Sequence, residues 1–211
     1  MNQIIKTGYR LLEISACYDF FQTIVGATAY VQKILGETFL NPEISSVIDL
    51  GCGTGAKTPF LNSKMKYLGV DISEDYIARA KRRESDADRT YVVSDLSLSG
   101  WLNVTEFYNP PLVLAMGIFH HLSNQQMESL LRQLQENIPP GSQITSLDPT
   151  ITRSTSKAAA FLANQDRGKF LRTPEELEGM LDRFGFSTEI REHKNQLRIP
   201  YDTLLINGTK R

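Results

Sequence analysis

Val47-Ile48-Asp49-Leu50-Gly51-Cys52-Gly53-Thr54-Gly55 is the stretch on which the fold turns. A short apolar run over 45–50 opens into three glycines at alternate positions. Glycine adopts backbone angles that other residues avoid and lets the chain approach a ligand closely. The reading is a buried strand, a glycine loop and then a helix, whose free N-terminal N–H groups suit a carboxylate or a phosphate. A plain tight turn is the simpler alternative, and the residues downstream weigh against it.

Two carboxylates come next, at telling positions. Asp71 closes the run KYLGVDI (66–72), 20 residues beyond Gly51. A carboxylate there can accept from both hydroxyls of a ribose, and Ile72 beside it can pack on an adenine face. Asp95 closes a third run, TYVVSD (90–95), where it can accept from an adenine amine. Either aspartate alone reads equally well as a solvated strand end. The series after the glycine loop does not.

Outward from this segment the chain alternates strand and helix. EDYIARAKRR (74–83) is helical, and its closing Lys81-Arg82-Arg83 suits the helix dipole. PLVLAMGIF (111–119) is a near-continuous apolar run, as expected of a strand buried on both faces. NQQMESLLRQLQENI (124–138) is a helix with an apolar stripe, stopped by Pro139-Pro140-Gly141, and SQITSLD (142–148) is a fifth strand. A small helix and a charged loop fill 151–172. Thr173-Pro174-Glu175-Glu176 then starts a helix with a capping box, which Gly185 ends. The segments 186–193 and 199–208 read as a closing antiparallel pair of strands. Residues 4–38 carry apolar residues at helical spacing and read as two or three helices broken near Gly26 and Gly36, with Asn41-Pro42 as the boundary. The expectation is an α/β, Rossmann-like doubly wound sheet of about seven strands, mostly parallel with an antiparallel last strand, plus N-terminal helices. It forms a single domain: a helical cap over 1–40, a cofactor-binding core over 44–150, an acceptor lid over 151–172, and a closing helix and strands over 173–211.

Composition limits the functions available. The 211 residues are 41% hydrophobic and 22% charged, with a formal net charge of −1. That is ordinary for a globular protein and gives no general basic field for a nucleic-acid backbone. The two cysteines, Cys17 and Cys52, lack metal-ligand spacing and read as packing residues, so no metal site is expected. The charged N-terminal stretch is neither a signal peptide nor a membrane span. A cytoplasmic protein without membrane insertion is expected, as a monomer or a homodimer.

DLGCGTG, GVDIS, SDL and an apolar strand running into FHHL together resemble the class I S-adenosylmethionine methyltransferases over roughly residues 44–150. YDFFQTIVG, DRGKFLRTPEE and RIPYD extend the likeness to a group of small bacterial methyltransferases of unassigned substrate. The resemblance implies S-adenosyl-L-methionine as cofactor. It implies that Asp49, Gly51, Cys52 and Gly53 line its methionine end, and that Asp71 and Ile72 meet the ribose and adenine. It further implies that Asp95 and the Leu96 backbone hold the adenine, that Met116 and Gly117 lie under the sulfonium, and that Tyr18 and Gln22 make outer contacts. There is one departure: where the family carries an Asp before the fourth strand, this chain reads Tyr108-Asn109-Pro110-Pro111. An NAD-dependent oxidoreductase is the alternative, through Gly51, Gly53 and Ala56. Against it stand Asp49 before the first glycine, Gly55 in the pattern, and no second domain for a substrate.

The acceptor is expected outside the carboxyl ends of the strands. His120 and His121 follow the fourth strand, and histidine titrates where a general base is useful. His120 is the candidate pocket residue and His121 the structural one, with scaffold roles for both as the alternative. Asp148, Arg153, Arg167, Arg172 and Tyr201 are candidate acceptor contacts, the arginines for a carboxylate or phosphate. A solvated charged loop is the competing reading. The expected reaction is methyl transfer to a small-molecule, glycan-precursor or lipid-linked acceptor. An RNA or protein methyltransferase and a non-catalytic S-adenosylmethionine-binding protein remain as alternatives.

Overall fold

The computed structural model describes residues 26–38, 44–61, 65–83, 88–102, 109–165, 168–194 and 196–211. Seven strands form one sheet: β1 (Ser46–Leu50), β2 (Lys66–Asp71), β3 (Arg89–Val93), β4 (Leu112–Met116), β5 (Gln143–Pro149), β6 (Phe186–His193) and β7 (Thr203–Lys210). Their order is β3-β2-β1-β4-β5-β7-β6. The first five are parallel, and β7 runs antiparallel between β5 and β6. The order reverses at β1 and β4, the switch point where open α/β sheets bind their ligands. The expected Rossmann-like sheet is therefore present, and the closing pair is antiparallel as read.

Residue type explains the layering. All five residues of β1 are buried, and so are four of the five in β4, as a central parallel strand requires. Ile48, Leu50, Val113, Ala115, Ile144, Leu204 and Ile206 project to one face. There they meet α3 (Asn124–Asn137) and α5 (Pro174–Arg183) through Met127, Leu130, Leu131, Leu134, Leu177 and Leu181. Val47, Tyr67, Leu112 and Leu114 project to the other face, against Leu35 of α1 (Ala27–Thr38) and Ile77 and Ala80 of α2 (Glu74–Arg83). Each fully buried aliphatic side chain contributes roughly 1.5–3 kcal/mol. Tyr30 and Ile34 carry α1 onward over Leu147 and Leu205. The Tyr30 hydroxyl meets His193 Nδ1 of β6, which ties this helix to the far edge of the sheet.

The helix starts follow their caps. Ser123 and Gln126 make a reciprocal capping box on α3, and Thr173 and Glu176 make the one expected on α5, with Pro174 in its first turn. The small helix α4 (Lys157–Gln165) lies between β5 and α5 in the chain.

Four expectations are corrected. Gly36 lies inside α1 and does not break it; open space surrounds the position, and the Thr38 hydroxyl donates back across it to the Ile34 carbonyl at 2.8 Å. The glycine loop leads into one 3-10 turn, Thr58–Phe60, where an α-helix was expected. Thr58 and Pro59 are weak helix formers, and Leu61 is extended (φ −89°, ψ 145°), which brings its side chain into the core. The fourth strand stops at Met116, because Gly117 takes φ +71° and turns the chain. The third strand ends at Val93, two residues before Asp95. Asn109, at the departure from the family pattern, donates from Nδ2 to Ser45 Oγ at 3.3 Å and links the approach of β4 to that of β1.

Candidate active site

The glycine loop is clipped to β2. The amides of Gly51 and Cys52 both donate to the Val70 carbonyl, at 2.8 and 3.0 Å. Gly51 sits at φ +65°, and a Cβ there would fall 1.9 Å from Ile118 Cδ1. Gly53 sits at φ +58° with nothing within 4 Å of the place a Cβ would take. The first glycine thus permits close packing, and the second leaves open space over the loop, a cradle for a ligand.

Asp71, at the end of β2, holds this cradle. Its Oδ2 accepts from the Gly53 amide at 2.9 Å and its Oδ1 from the Ser73 amide at 2.9 Å. Each carboxylate oxygen has a further lone pair, so the group still has capacity for two hydroxyls. Ile72 is 70% exposed beside it. Val93, paired with Asp71 across the ladder, is also exposed, as is Leu98 just beyond Asp95. These last two apolar groups escaped the sequence reading. Asp95 Oδ1 accepts from the amide and hydroxyl of Ser97, at 2.8 and 2.7 Å. The Leu96 carbonyl accepts from Trp101 Nε1 and Gln133 Nε2, at 3.3 and 3.0 Å.

Asp49 does not face the cradle. Its side chain is fully buried under the loop, where Lys57 Nζ lies 3.0 Å from Oδ1 and Tyr67 donates to Oδ2 at 2.8 Å. Burial pushes the Asp49 carboxyl up, against the pull of Lys57. The Lys57 ammonium is held protonated by Asp49 and also reaches the Gly51 carbonyl, at 3.4 Å. The cation that meets Asp49 under the loop is therefore a lysine that sequence reading missed. Nothing in a lone Lys shortly after the motif signals a buried ion pair. Cys52 is buried, and burial with Asp49 nearby pushes its thiol far up, so it fills space behind the loop.

Gly117 follows β4, with its amide on the Leu147 carbonyl at 2.7 Å and Met116 half-buried before it. The two histidines form a 3-10 turn, Phe119–His121, with ring centroids 4.1 Å apart. His120 is only 5% exposed, whereas His121 faces outward. His120 Nδ1 lies 2.8 Å from Asp148 Oδ1, and the His120 amide donates to the same oxygen at 3.2 Å. Ser146 donates to the other oxygen, Oδ2, at 2.5 Å.

The expected acceptor arginines divide. Arg172 is 6% exposed and gives its N–H groups to the carbonyls of Phe119, Leu122 and Phe170 and to Asn124 Oδ1. Those contacts occupy the whole guanidinium, so the expectation that it holds an acceptor anion gives way to a scaffold role. It ties the segment before α5 to the histidine turn. Asp148 likewise serves His120 directly. Arg153 is exposed and Tyr201 half-buried. Tyr18, Gln22 and Arg167 lie outside the described residues. No group of three or more His, Cys, Asp or Glu side chains among the described residues could hold a metal ion, and no described helix is long and apolar enough to cross a membrane.

The profile of a family described as a methyltransferase domain matches residues 26–189, most of the chain. The chain belongs to that family. This methyltransferase domain is 27% identical over 132 residues to a malonyl-[acyl-carrier protein] O-methyltransferase of Anoxybacillus flavithermus. The aligned part is 60% of this chain and 48% of the relative, so the chain spans about half the length of that protein. Among solved structures it resembles a SAM-dependent methyltransferase from Archaeoglobus fulgidus (TM-score 0.68, 18% identity, 92% of this chain and 99% of the other). It also resembles the plantazolicin methyltransferase BamL, solved with S-adenosylhomocysteine and a desmethyl substrate analogue (TM-score 0.66, 18% identity, 94% and 90%). At that identity the neighbours establish the fold. The expectation of a methyltransferase is borne out at the level of the family.

Proposed function

We propose that this domain transfers a methyl group from S-adenosylmethionine to a small-molecule acceptor. The observation that carries the reading is the clip between Gly53 and Asp71, 2.9 Å long, with open space over the second glycine and Asp95 on the next strand's exit. These residues fit the nucleoside. Asp71 would take the ribose hydroxyls, and Asp95 with the Leu96 amide the adenine edge. Ile72, Val93 and Leu98 would supply apolar contact to the ring. When bound, the cofactor supplies an activated methyl on sulfur. The chain's own part is then to orient the acceptor in line and exclude water. Met116 and Gly117, at the carboxyl end of β4, would stand where that alignment is made.

A small acceptor is favoured by the near-neutral charge and by a chain whose described elements all belong to one sheet and its covering helices. The test is methyl-labelled S-adenosylmethionine with the purified protein and a cell extract split into dialysable, protein and RNA fractions. Label is expected in the dialysable fraction. Label confined to protein or RNA contradicts the reading.

A further inference from the structure

We propose that Lys57 reads the amino-acid end of the cofactor: its ammonium, aimed by Asp49 beneath the glycine loop, donates to the cofactor's carboxylate. This rests on the methyl-transfer reading above and extends its cradle from the nucleoside to the tail.

The loop spends its own donors inside the fold. The amides of Gly51 and Cys52 go to the Val70 carbonyl, that of Gly53 to Asp71, and that of Gly55 to the Cys52 carbonyl. The Thr58 amide and hydroxyl both go to the Gly55 carbonyl. Sequence reading gave an anion here to the free N–H groups of a following helix. In place of that helix stands the single 3-10 turn Thr58–Phe60, too short to present such an end. A carboxylate at the loop therefore needs another donor, and Lys57 stands one residue before that turn.

Lys57 has the means to be that donor. Its Nζ lies 3.0 Å from Asp49 Oδ1 and 3.4 Å from the Gly51 carbonyl oxygen. An ammonium carries three N–H groups, so one is left without a partner among the described residues. The Lys57 side chain keeps 15% of its surface open, while that of Asp49 is sealed. Tyr67 donates to Asp49 Oδ2 at 2.8 Å, so the carboxylate is held on both oxygens and gives the ammonium a fixed anchor. Burial opposes the charge on Lys57 and Asp49 outweighs it, so the ammonium is held above its ordinary value. The sheet order sets the course of the tail. With the nucleoside at Asp71 and Asp95, over β2 and β3, and the reacting end at Gly117 after β4, β1 lies between the two. The tail that leaves the sulfur would then run over the exit of β1, where Lys57 meets the Gly51 carbonyl. Its carboxylate would share the ammonium with Asp49, and its own α-ammonium offsets the added negative charge.

The test is calorimetric titration of the full chain with S-adenosylhomocysteine and with decarboxylated S-adenosylhomocysteine, the same compound without its carboxylate. The wild-type protein should bind the first about tenfold or more tightly than the second, the worth of one charge-assisted hydrogen bond. Lys57→Met alone strands a buried carboxylate, so Asp49→Asn is made with it, and this paired variant should bind the two compounds alike. A role confined to the shape of the loop would weaken both compounds by one factor and leave the preference intact. Equal affinities in the wild-type protein, or a preference that survives in the paired variant, overturn the role of Lys57 while the methyl-transfer reading stands. A wild-type protein that binds neither compound overturns that reading and the role of Lys57 with it.

Discussion

Asp49 and Lys57 show how one residue's setting changes its meaning. A carboxylate two residues before a glycine loop reads as a ligand for the cofactor; the fold instead buries it and pairs it with Lys57 at 3.0 Å. Lys57→Met would leave that carboxylate without its cation, at a loss of about 3–5 kcal/mol. The pH dependence comes from the direction of the shift. Burial raises the Asp49 carboxyl above its unfolded value of about 3.9. The folded form therefore holds the proton more tightly, and stability falls as pH rises through the folded value. The variant should resist urea better in mild acid than at neutral pH, as circular dichroism would read. Urea midpoints that do not vary with pH would contradict the pairing. At Asp71, replacement by Ala removes the acceptor for the Gly53 amide together with the proposed ribose contacts. S-adenosylhomocysteine affinity should fall at least about tenfold, roughly 1.4 kcal/mol, by calorimetry.

Among the elements, the central parallel strands β1 and β4 were legible because each is a short apolar run between turn signals, and burial on both faces permits little else. The start of α5 was legible too: Thr173, Pro174 and Glu176 carry their own local chemistry, and the capping box formed as read. Thr173→Ala should therefore lower stability by about 1 kcal/mol in a urea titration. The turn after the glycine loop was not legible, since the course of residues 58–61 is set by Leu61 seeking the core and not by the loop itself. Nor were the side-chain destinations. Asp148 finds His120, and Arg172 finds three carbonyls, only because strands and turns distant in sequence become neighbours. Gly51 belongs at this scale as well, because it joins β1 to the loop. Gly51→Ala would place a side chain at φ +65° and push Ile118 aside, for a loss of about 1–3 kcal/mol. The thermal midpoint should drop and ligand affinity with it.

For the molecule as a whole, the sheet order gathers the glycine loop and the histidine turn at one edge, the carboxyl ends of β1 to β5. The two halves of that edge have separate tasks. The β1–β2–β3 side builds the glycine loop and its aspartates, the proposed nucleoside cradle, and the β4–β5 side builds the histidine turn and its aspartate. Arg172 links the second half to α5, and Tyr30 links α1 across to β6. The central claim is that the cradle takes S-adenosylmethionine. Its most direct test is calorimetric titration of the purified protein with S-adenosylhomocysteine, with NAD as the parallel ligand. A saturable heat of binding is expected with the sulfur compound and none with NAD. Binding of NAD alone, or of neither, would contradict it.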